Sequence, residues 1–343
     1  MKAIVWDSDG KLHLDENHPY PVCKDDWVVI KVVSAGICST DLAVISGEFG
    51  EPPMIPGHEI AGVIDKVGPL VKSVKPGDRV VVETAVSCGH CRACESGNKH
   101  LCKESGEIGF PPYDGGYAEY VSVPENCIRF IPDGVSFDEA GIIEAALCPF
   151  GLIYRYGMLP GSTVLIQGNG VAGLSFLQTV KCFSATKVIM SVRRDSAVEM
   201  AKHFGADVVI NTKHEDLVQR VMEETDGRGV DLSIDSTGSS AAIEKAVSLA
   251  CAGGRVILYG IPGKTDTMPE FPVRDIILRQ LTVLGGNCNQ LAWEPLLALV
   301  AAGKFNIRDM ITEVYPLAKA EEALQVVKKK PDGFIKAVLH TQE

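Results

Sequence analysis

The stretch TVLIQGNGVAGLSFLQTV, Thr163 to Val180, limits the possible folds more than any other part of the chain. A β-branched run ends in Gly168, Gly170 and Gly173 with G-x-G-x-x-G spacing, and an apolar helical pattern follows. Gly168 permits a tight turn, Gly170 lets a pyrophosphate approach the backbone, and Gly173 lets helix and strand pack closely. Gly168, Gly170, Val171, Ala172 and Gly173 are therefore the candidate dinucleotide-binding residues. KVIMSVRRDS supplies a second strand and AVEMAKHFGADVVI the next helix and strand. GVDLSIDSTG, GGRVILYGIPG and LTVLGGN continue the alternation. The pattern predicts a doubly wound parallel sheet, assigned to residues 148–287.

The flanks have another texture. Residues 1–147 hold short β runs (VVIKVVSAG, DRVVVET, AEYVSVPE) punctuated by Gly and Pro. Residues 288–343 return to a strand, helix, strand pattern that completes this first domain. The fold class is α/β: a β-rich domain plus the parallel-sheet domain, in a chain of 343 residues, long enough for two cores.

SCGHCRACESGNKHLC places Cys88, Cys91, Cys94 and Cys102 within one Gly-, Asn- and Ser-rich loop. The spacing C-x2-C-x2-C-x7-C lets one loop fold four sulfurs around a tetrahedral ion. It differs from the usual ferredoxin spacings. His90 is a bystander where four thiolates are available. Four protein ligands leave no open position, so this zinc is expected to be structural. The remaining seven of the eleven cysteines (Cys23, Cys38, Cys127, Cys148, Cys182, Cys251 and Cys288) are scattered, and the odd total argues against a secreted disulfide framework.

A second constellation has the mixed ligand types of a catalytic zinc site. AGICSTD carries Cys38, Thr40 and Asp41; IPGHEIAGVI carries His58 and Glu59; GIIEAALC places Glu144 in an apolar stretch. Three protein ligands of mixed type leave a position for water or a substrate oxygen. Singly these residues read as a buried cysteine, a core histidine and a carboxylate at a helix start. Their combination with a zinc loop between His58 and Glu144 favours chemistry. The catalytic candidates lie in the β-rich domain and the dinucleotide site in the sheet domain, so a cleft between the two is the expected meeting place.

Composition excludes other classes. The formal charge of −11 opposes a nucleic-acid partner, including a zinc-finger reading of the cysteine loop. The start MKAIVWDSDG lacks the apolar core of a signal peptide, and no apolar run reaches the roughly 18 residues of a membrane span. A cytoplasmic protein with no membrane partner is expected.

GICSTD, GHEIAGVI, VKPGDRV, the cysteine loop, DGGYAEY, GNGVAG and GGRVILYGIPG occur in an order that resembles the zinc-dependent medium-chain dehydrogenase/reductases, the alcohol and polyol dehydrogenase family, over essentially the whole chain. The resemblance implies a GroES-like catalytic domain, a Rossmann cofactor domain, two zinc ions per chain, and oxidation of an alcohol to a carbonyl with hydride transfer to nicotinamide. It carries the first two catalytic zinc ligands onto Cys38 and His58. Glu144 falls at the third, where simple alcohol dehydrogenases use cysteine and the polyol branch glutamate. Glu59 matches a glutamate that ligates directly or through water, Thr40 the hydroxyl that bonds the substrate oxygen, and Asp41 the carboxylate that orients the histidine. The zinc-free quinone-reductase branch lacks both zinc sets.

The chain departs from the family twice. Ala43 stands where many relatives have a proton-relay histidine, leaving solvent through the cofactor ribose as a substitute. About 20 residues after the glycine motif, where an NAD enzyme places an acid for the ribose 2′-hydroxyl, the chain has Val192 followed by Arg193 and Arg194. Planar guanidinium forks suit a 2′-phosphate, so NADP is expected over NAD; against this, both arginines read equally as surface charge, with Asp195 to pair one of them. Glu144 leans toward a polyol, sugar alcohol, sugar acid or similar secondary alcohol, with a simple alcohol or aldehyde, or an amino alcohol such as threonine, as the alternative. The short loop LAVISGEFGEPPMIPG suggests an open pocket; Phe49 and Phe110 are its candidate lining, and both read equally as packing residues. A homodimer or homotetramer is expected, built through the cofactor domain with GGRVILYGIPG to LTVLGG as the edge.

Overall fold

The computed structural model describes residues 1–263, 271–286 and 290–342; Cys288 and the expected boundary at 287/288 lie outside the described residues. The chain divides into two compact units, Met1–Leu147 with Gln290–Glu343, and Cys148–Asn289.

The first unit is organised by one long strand, Trp27–Ile37. Its Val28, Ile30, Val32, Ala35 and Ile37 enter a single apolar core, while Lys31 faces solvent. The strand pairs antiparallel with Glu59–Val67, Tyr120–Pro124 and Lys336–His340. Arg79–Val82, Ile128–Phe130 and Ile311–Pro316 extend the sheet to seven strands. The C-terminal segment is integral to this core. Helix Ala320–Lys329 contributes Ala320, Ala323, Leu324 and Val327, an i, i+3, i+4, i+7 stripe, and the Thr341 hydroxyl donates to the Val32 carbonyl at 2.6 Å.

The second unit contains a six-stranded sheet ordered Val208–Asn211, Lys187–Val192, Thr163–Gln167, Val230–Asp235, Ala250–Leu258, Thr282–Gly285, with every pairing parallel. Val164–Ile166 and Val188–Met190 are fully buried, as central strands between helical layers require. The strand order reverses beside Thr163–Gln167, so ligands are expected beyond that strand's C-terminal end. Gly168 sits there with φ +101°, and helix Val171–Cys182 follows. A Cβ on Gly173 would lie 2.1 Å from the Gly168 carbonyl oxygen, whereas one on Gly170 would meet nothing within 4 Å. The first glycine serves the turn, the third the helix–strand contact, and the middle one leaves open space.

Thr282–Gly285 closes one side of this sheet with no outer strand among the described residues. Beside it in sequence, helix Val273–Leu278 exposes Val273, Ile277 and Leu278 by 55–67%. Among the described residues no helix is long and apolar enough to cross a membrane.

Candidate functional site

The site starts where strand Trp27–Ile37 ends. Cys38 is extended and caps helix Ser39–Ile45, and its N–H donates to Asp41 Oδ2 at 2.8 Å. That turn projects the Cys38 sulfur beside Thr40, with Sγ 3.4 Å from Thr40 Oγ1. The Asp41 carboxylate, fully buried, also takes His58 Nδ1 at 2.8 Å on Oδ1 and the Tyr117 hydroxyl at 2.6 Å on Oδ2. Burial alone would raise Asp41, but His58, together with the hydrogen bonds from His58, Tyr117 and Cys38, holds it below the ordinary carboxylate range. Burial likewise disfavours charge on His58, and Asp41 outweighs it, lifting the imidazole well above its ordinary value. An ionised Asp41 only accepts hydrogen bonds, so Nδ1 carries a proton and Nε2 is the nitrogen that would give up its own proton to bind a metal.

Glu59 opens the next strand directly opposite Gly36. A Cβ on Gly36 would lie 2.0 Å from Glu59 Oε2, so the missing side chain is what gives Glu59 room. Glu59 Oε1 accepts from Lys336 Nζ at 2.5 Å, both groups being nearly inaccessible to solvent. Glu59 Oε2 has no hydrogen-bond partner among the described residues. The ligand atoms of Cys38, His58 and Glu59 lie within 4.8 Å of one another. A soft thiol, an imidazole nitrogen and a buried carboxylate oxygen without a donor form a donor set that fits zinc.

Glu144 stands in the first turn of helix Ile143–Tyr156, outside that 4.8 Å trio. It shares the trio's electrostatic neighbourhood. Burial pushes its carboxyl up to about 7, Glu59 and Glu107 add to the rise, and His58 and Lys336 oppose it. Phe110 packs against His58 with ring centres 5.5 Å apart. Phe49, 46% exposed, meets the Phe110 ring edge-on at 6.2 Å.

The cysteine loop forms a second cluster. Cys91 caps the short helix Arg92–Glu95, which carries Cys94, and Cys102 follows the turn Lys99–Leu101. Sulfur separations are 3.5 Å for Cys91–Cys94, 3.6 Å for Cys88–Cys102 and 3.9 Å for Cys88–Cys94, with no disulfide. A tetrahedron with Zn–S bonds of about 2.3 Å has edges of about 3.8 Å, so the four thiols are already spaced for zinc. His90 Nδ1 lies 2.7 Å from the Cys88 carbonyl oxygen, apart from the sulfurs. Several contacts fasten the loop, among them Lys99 Nζ 3.0 Å from buried Glu83 and the Lys99 N–H donated to Gln290 at 3.0 Å.

At the end of strand Lys187–Val192, Val192 is buried while Arg193 and Arg194 are exposed. Asp195 bonds Asn211 at 2.7 Å, His214 at 2.7 Å and Lys213 at 3.0 Å. Its oxygens are thus engaged by the following strand and loop.

Sequence reasoning passed over Lys336 and Tyr117. DGGYAEY was available as a motif, but nothing in it announced a bond to Asp41, and Lys336 lies 277 residues from its partner.

The raised carboxyl of Glu144 sets a pH dependence. In metal-free protein the folded state holds this proton up to about 7, whereas its ordinary value is 4.5. Stability from this group is full below 4.5 and is lost as pH rises to 7. Denaturation of metal-free wild type should therefore lose on the order of 2–3 kcal/mol across that window relative to E144Q. Parallel pH curves for the two proteins would contradict the burial assigned to Glu144.

The alcohol dehydrogenase GroES-like domain model matches residues 24–133 and the zinc-binding dehydrogenase model residues 172–302. Sorbitol dehydrogenase of Bacillus subtilis (strain 168) is 32% identical over 99% of this chain and 97% of its own. L-threonine 3-dehydrogenase of Pyrococcus abyssi (strain GE5 / Orsay) is 36% identical over 90% of each. Alcohol dehydrogenase TADH from Thermus sp. ATN1 superposes with a TM-score of 0.90 at 27% identity, covering 99% of both chains. Matches to both domains, and to relatives along nearly the full length, place this chain in the zinc-dependent medium-chain dehydrogenase/reductase family.

Proposed function

We propose that this enzyme oxidises a secondary alcohol carrying a neighbouring polar carbon, of the polyol, sugar alcohol or sugar acid class, with NADP preferred over NAD. The observation that carries the reading is the Cys38–His58–Glu59 donor cluster with Glu144 in its electrostatic neighbourhood. Sorbitol and L-threonine, the compounds in the names of the two relatives, share a secondary alcohol beside a heteroatom-bearing carbon. Glu144 at the third ligand place favours the polyol side of that pair.

Zinc held by Cys38 and His58, with Glu144 or the Glu59 carboxylate as third donor, would supply a Lewis acid that lowers the pKa of the substrate hydroxyl. The chain's own groups do the rest. Thr40 Oγ1 would accept the substrate hydroxyl proton as it gives up its own to solvent, and nicotinamide, when bound, would supply the hydride acceptor. Asp41 fixes the imidazole and Lys336 balances the charge of Glu59. Ala43 carries no group that could take the proton onward, so solvent would receive it. The 168–173 turn would hold the pyrophosphate, and Arg193 and Arg194 would take the 2′-phosphate. That Asp195 is bonded to Asn211, His214 and Lys213 supports this cofactor reading, because the carboxylate is not at liberty for a ribose diol.

A second, structural zinc in the Cys88–Cys102 cluster completes two per chain. A zinc site of four cysteines needs its thiols reduced, which favours a cytoplasmic location. The outer strand Thr282–Gly285 and the exposed apolar helix beside it in sequence favour a homodimer or homotetramer. Sedimentation at micromolar concentration should give a species of at least twice 36.8 kDa; a monomer alone would reject that assembly.

The central test is turnover of a panel of polyols, sugar acids and simple secondary alcohols with each cofactor. Activity confined to simple primary alcohols would overturn the substrate class. R194A should raise KM for NADP about tenfold and hardly change KM for NAD, the loss expected for one charge-assisted bond. Equal changes would mean the arginines are surface charge.

The two clusters should separate by mutation. C38S should cut kcat roughly a thousandfold or more in a folded protein. C94S should lower the unfolding midpoint by roughly 10 °C, because it opens a closed four-ligand site. Fewer than two zincs per chain in fully active enzyme would refute the assignment.

A further inference from the structure

Tyr117 is wholly buried, yet its hydroxyl is not spent on a distant core group. It donates to Asp41 Oδ2 at 2.6 Å, and Asp41 Oδ1 holds His58 Nδ1 at 2.8 Å. The segment leading to Tyr117 is also fastened to the segment leading to His58. Asp114 Oδ1 accepts the Ile55 N–H at 2.9 Å, Gly115 N–H donates to the Ile55 carbonyl at 2.6 Å, Gly116 N–H to Gly57 at 2.7 Å and Tyr117 N–H to Pro56 at 3.1 Å. This zipper needs bare backbone. A Cβ on Gly115 would stand 2.1 Å from the Gly57 oxygen, and one on Gly57 would stand 2.4 Å from the Tyr117 ring. Ring and hydroxyl of one side chain thus brace His58 from two directions: through the peptide just before it and through the carboxylate bonded to its ring.

We propose that Tyr117 is a positioning residue for the His58 metal site, acting through Asp41 to set the imidazole's orientation and donor strength. The inference rests on the reading of Cys38 and His58 as zinc ligands. A carboxylate that accepts an additional strong donor withdraws less from the imidazole proton, so the hydroxyl slightly lowers the nitrogen's donor strength. Its gain in metal affinity comes from fixing the ring, which outweighs that small loss, and the change in donor strength is what a spectrum reads. Asp41 Oδ2 keeps the Cys38 N–H when the hydroxyl is removed, so Y117F should leave the pair intact but looser. Outer partners of this kind change metal affinity by roughly 10–100-fold.

The test uses full-length, zinc-loaded protein and Y117F, titrated with a chelator while zinc release is followed, the four-cysteine site serving as internal control. Y117F is expected to release one zinc at about tenfold lower chelator concentration and to hold the second as wild type does. Cobalt placed in the first site should show a displaced visible absorption band in Y117F. In a D41N background Y117F should add nothing, because the path to His58 is already cut. Equal release and an unmoved cobalt band overturn the proposal, as does a full Y117F effect that persists in D41N. A wild type that binds metal only at the four cysteines defeats the parent reading and this inference with it. The change Tyr117→3-fluorotyrosine keeps the ring and strengthens the donor, so it should also move the cobalt band; an unmoved band there overturns the proposal even where Y117F fails to accumulate.

Discussion

The Asp41 carboxylate is the point on which the first unit's site depends. It has no solvent contact and accepts three donors: the Cys38 N–H, the His58 ring and the Tyr117 hydroxyl. Those donors come from the end of the central strand, the entry to its neighbour and a glycine-rich turn. A buried carboxylate without such partners would protonate or cost several kcal/mol. With them it stays ionised and ties three segments to one geometry. The sulfur of Cys38 and the Nε2 of His58 then converge without being in the same segment.

A second buried charge sits behind the first. Glu59 cannot reach water, and its pairing with Lys336 leaves one oxygen satisfied and the other turned inward. Lys336 belongs to the C-terminal strand, which pairs with Trp27–Ile37, and helix Ala320–Lys329 fills the same core. Truncating that segment would remove apolar packing and the counter-charge together. The last fifty-odd residues therefore belong to the site's chemistry as much as to its scaffold.

What was legible in the sequence follows range along the chain. The glycine turn and its flanking strand and helix could be read because period, spacing and steric need all lie within eighteen residues. The four-cysteine cluster was equally local, and its sulfur spacing agrees with a tetrahedral ion. Lys336 and Tyr117 were not legible, since their partners lie 277 and 76 residues away and neither belongs to a ligand motif. Phe49 and Phe110 looked alike in sequence, yet only Phe110 meets His58. For Arg193 and Arg194 the sequence located a strand end correctly, while the partners of Asp195 turned out to be Asn211, Lys213 and His214.

Both units solve their closest approaches by omitting a side chain. Gly36 admits the Glu59 carboxylate at a distance where any Cβ would collide, and Gly173 brings a helix onto the Gly168 carbonyl in the same way. Each such glycine costs backbone entropy on folding, roughly 0.5–1 kcal/mol against alanine in a regular element. Gly36 lies within the central strand, where that cost would otherwise weaken the sheet. The strand tolerates it because Trp27–Ile37 is paired along its length and buried among apolar neighbours. Rigid packing elsewhere in the strand thus offsets the local loss, and the chemistry is placed where the scaffold has stability to spare.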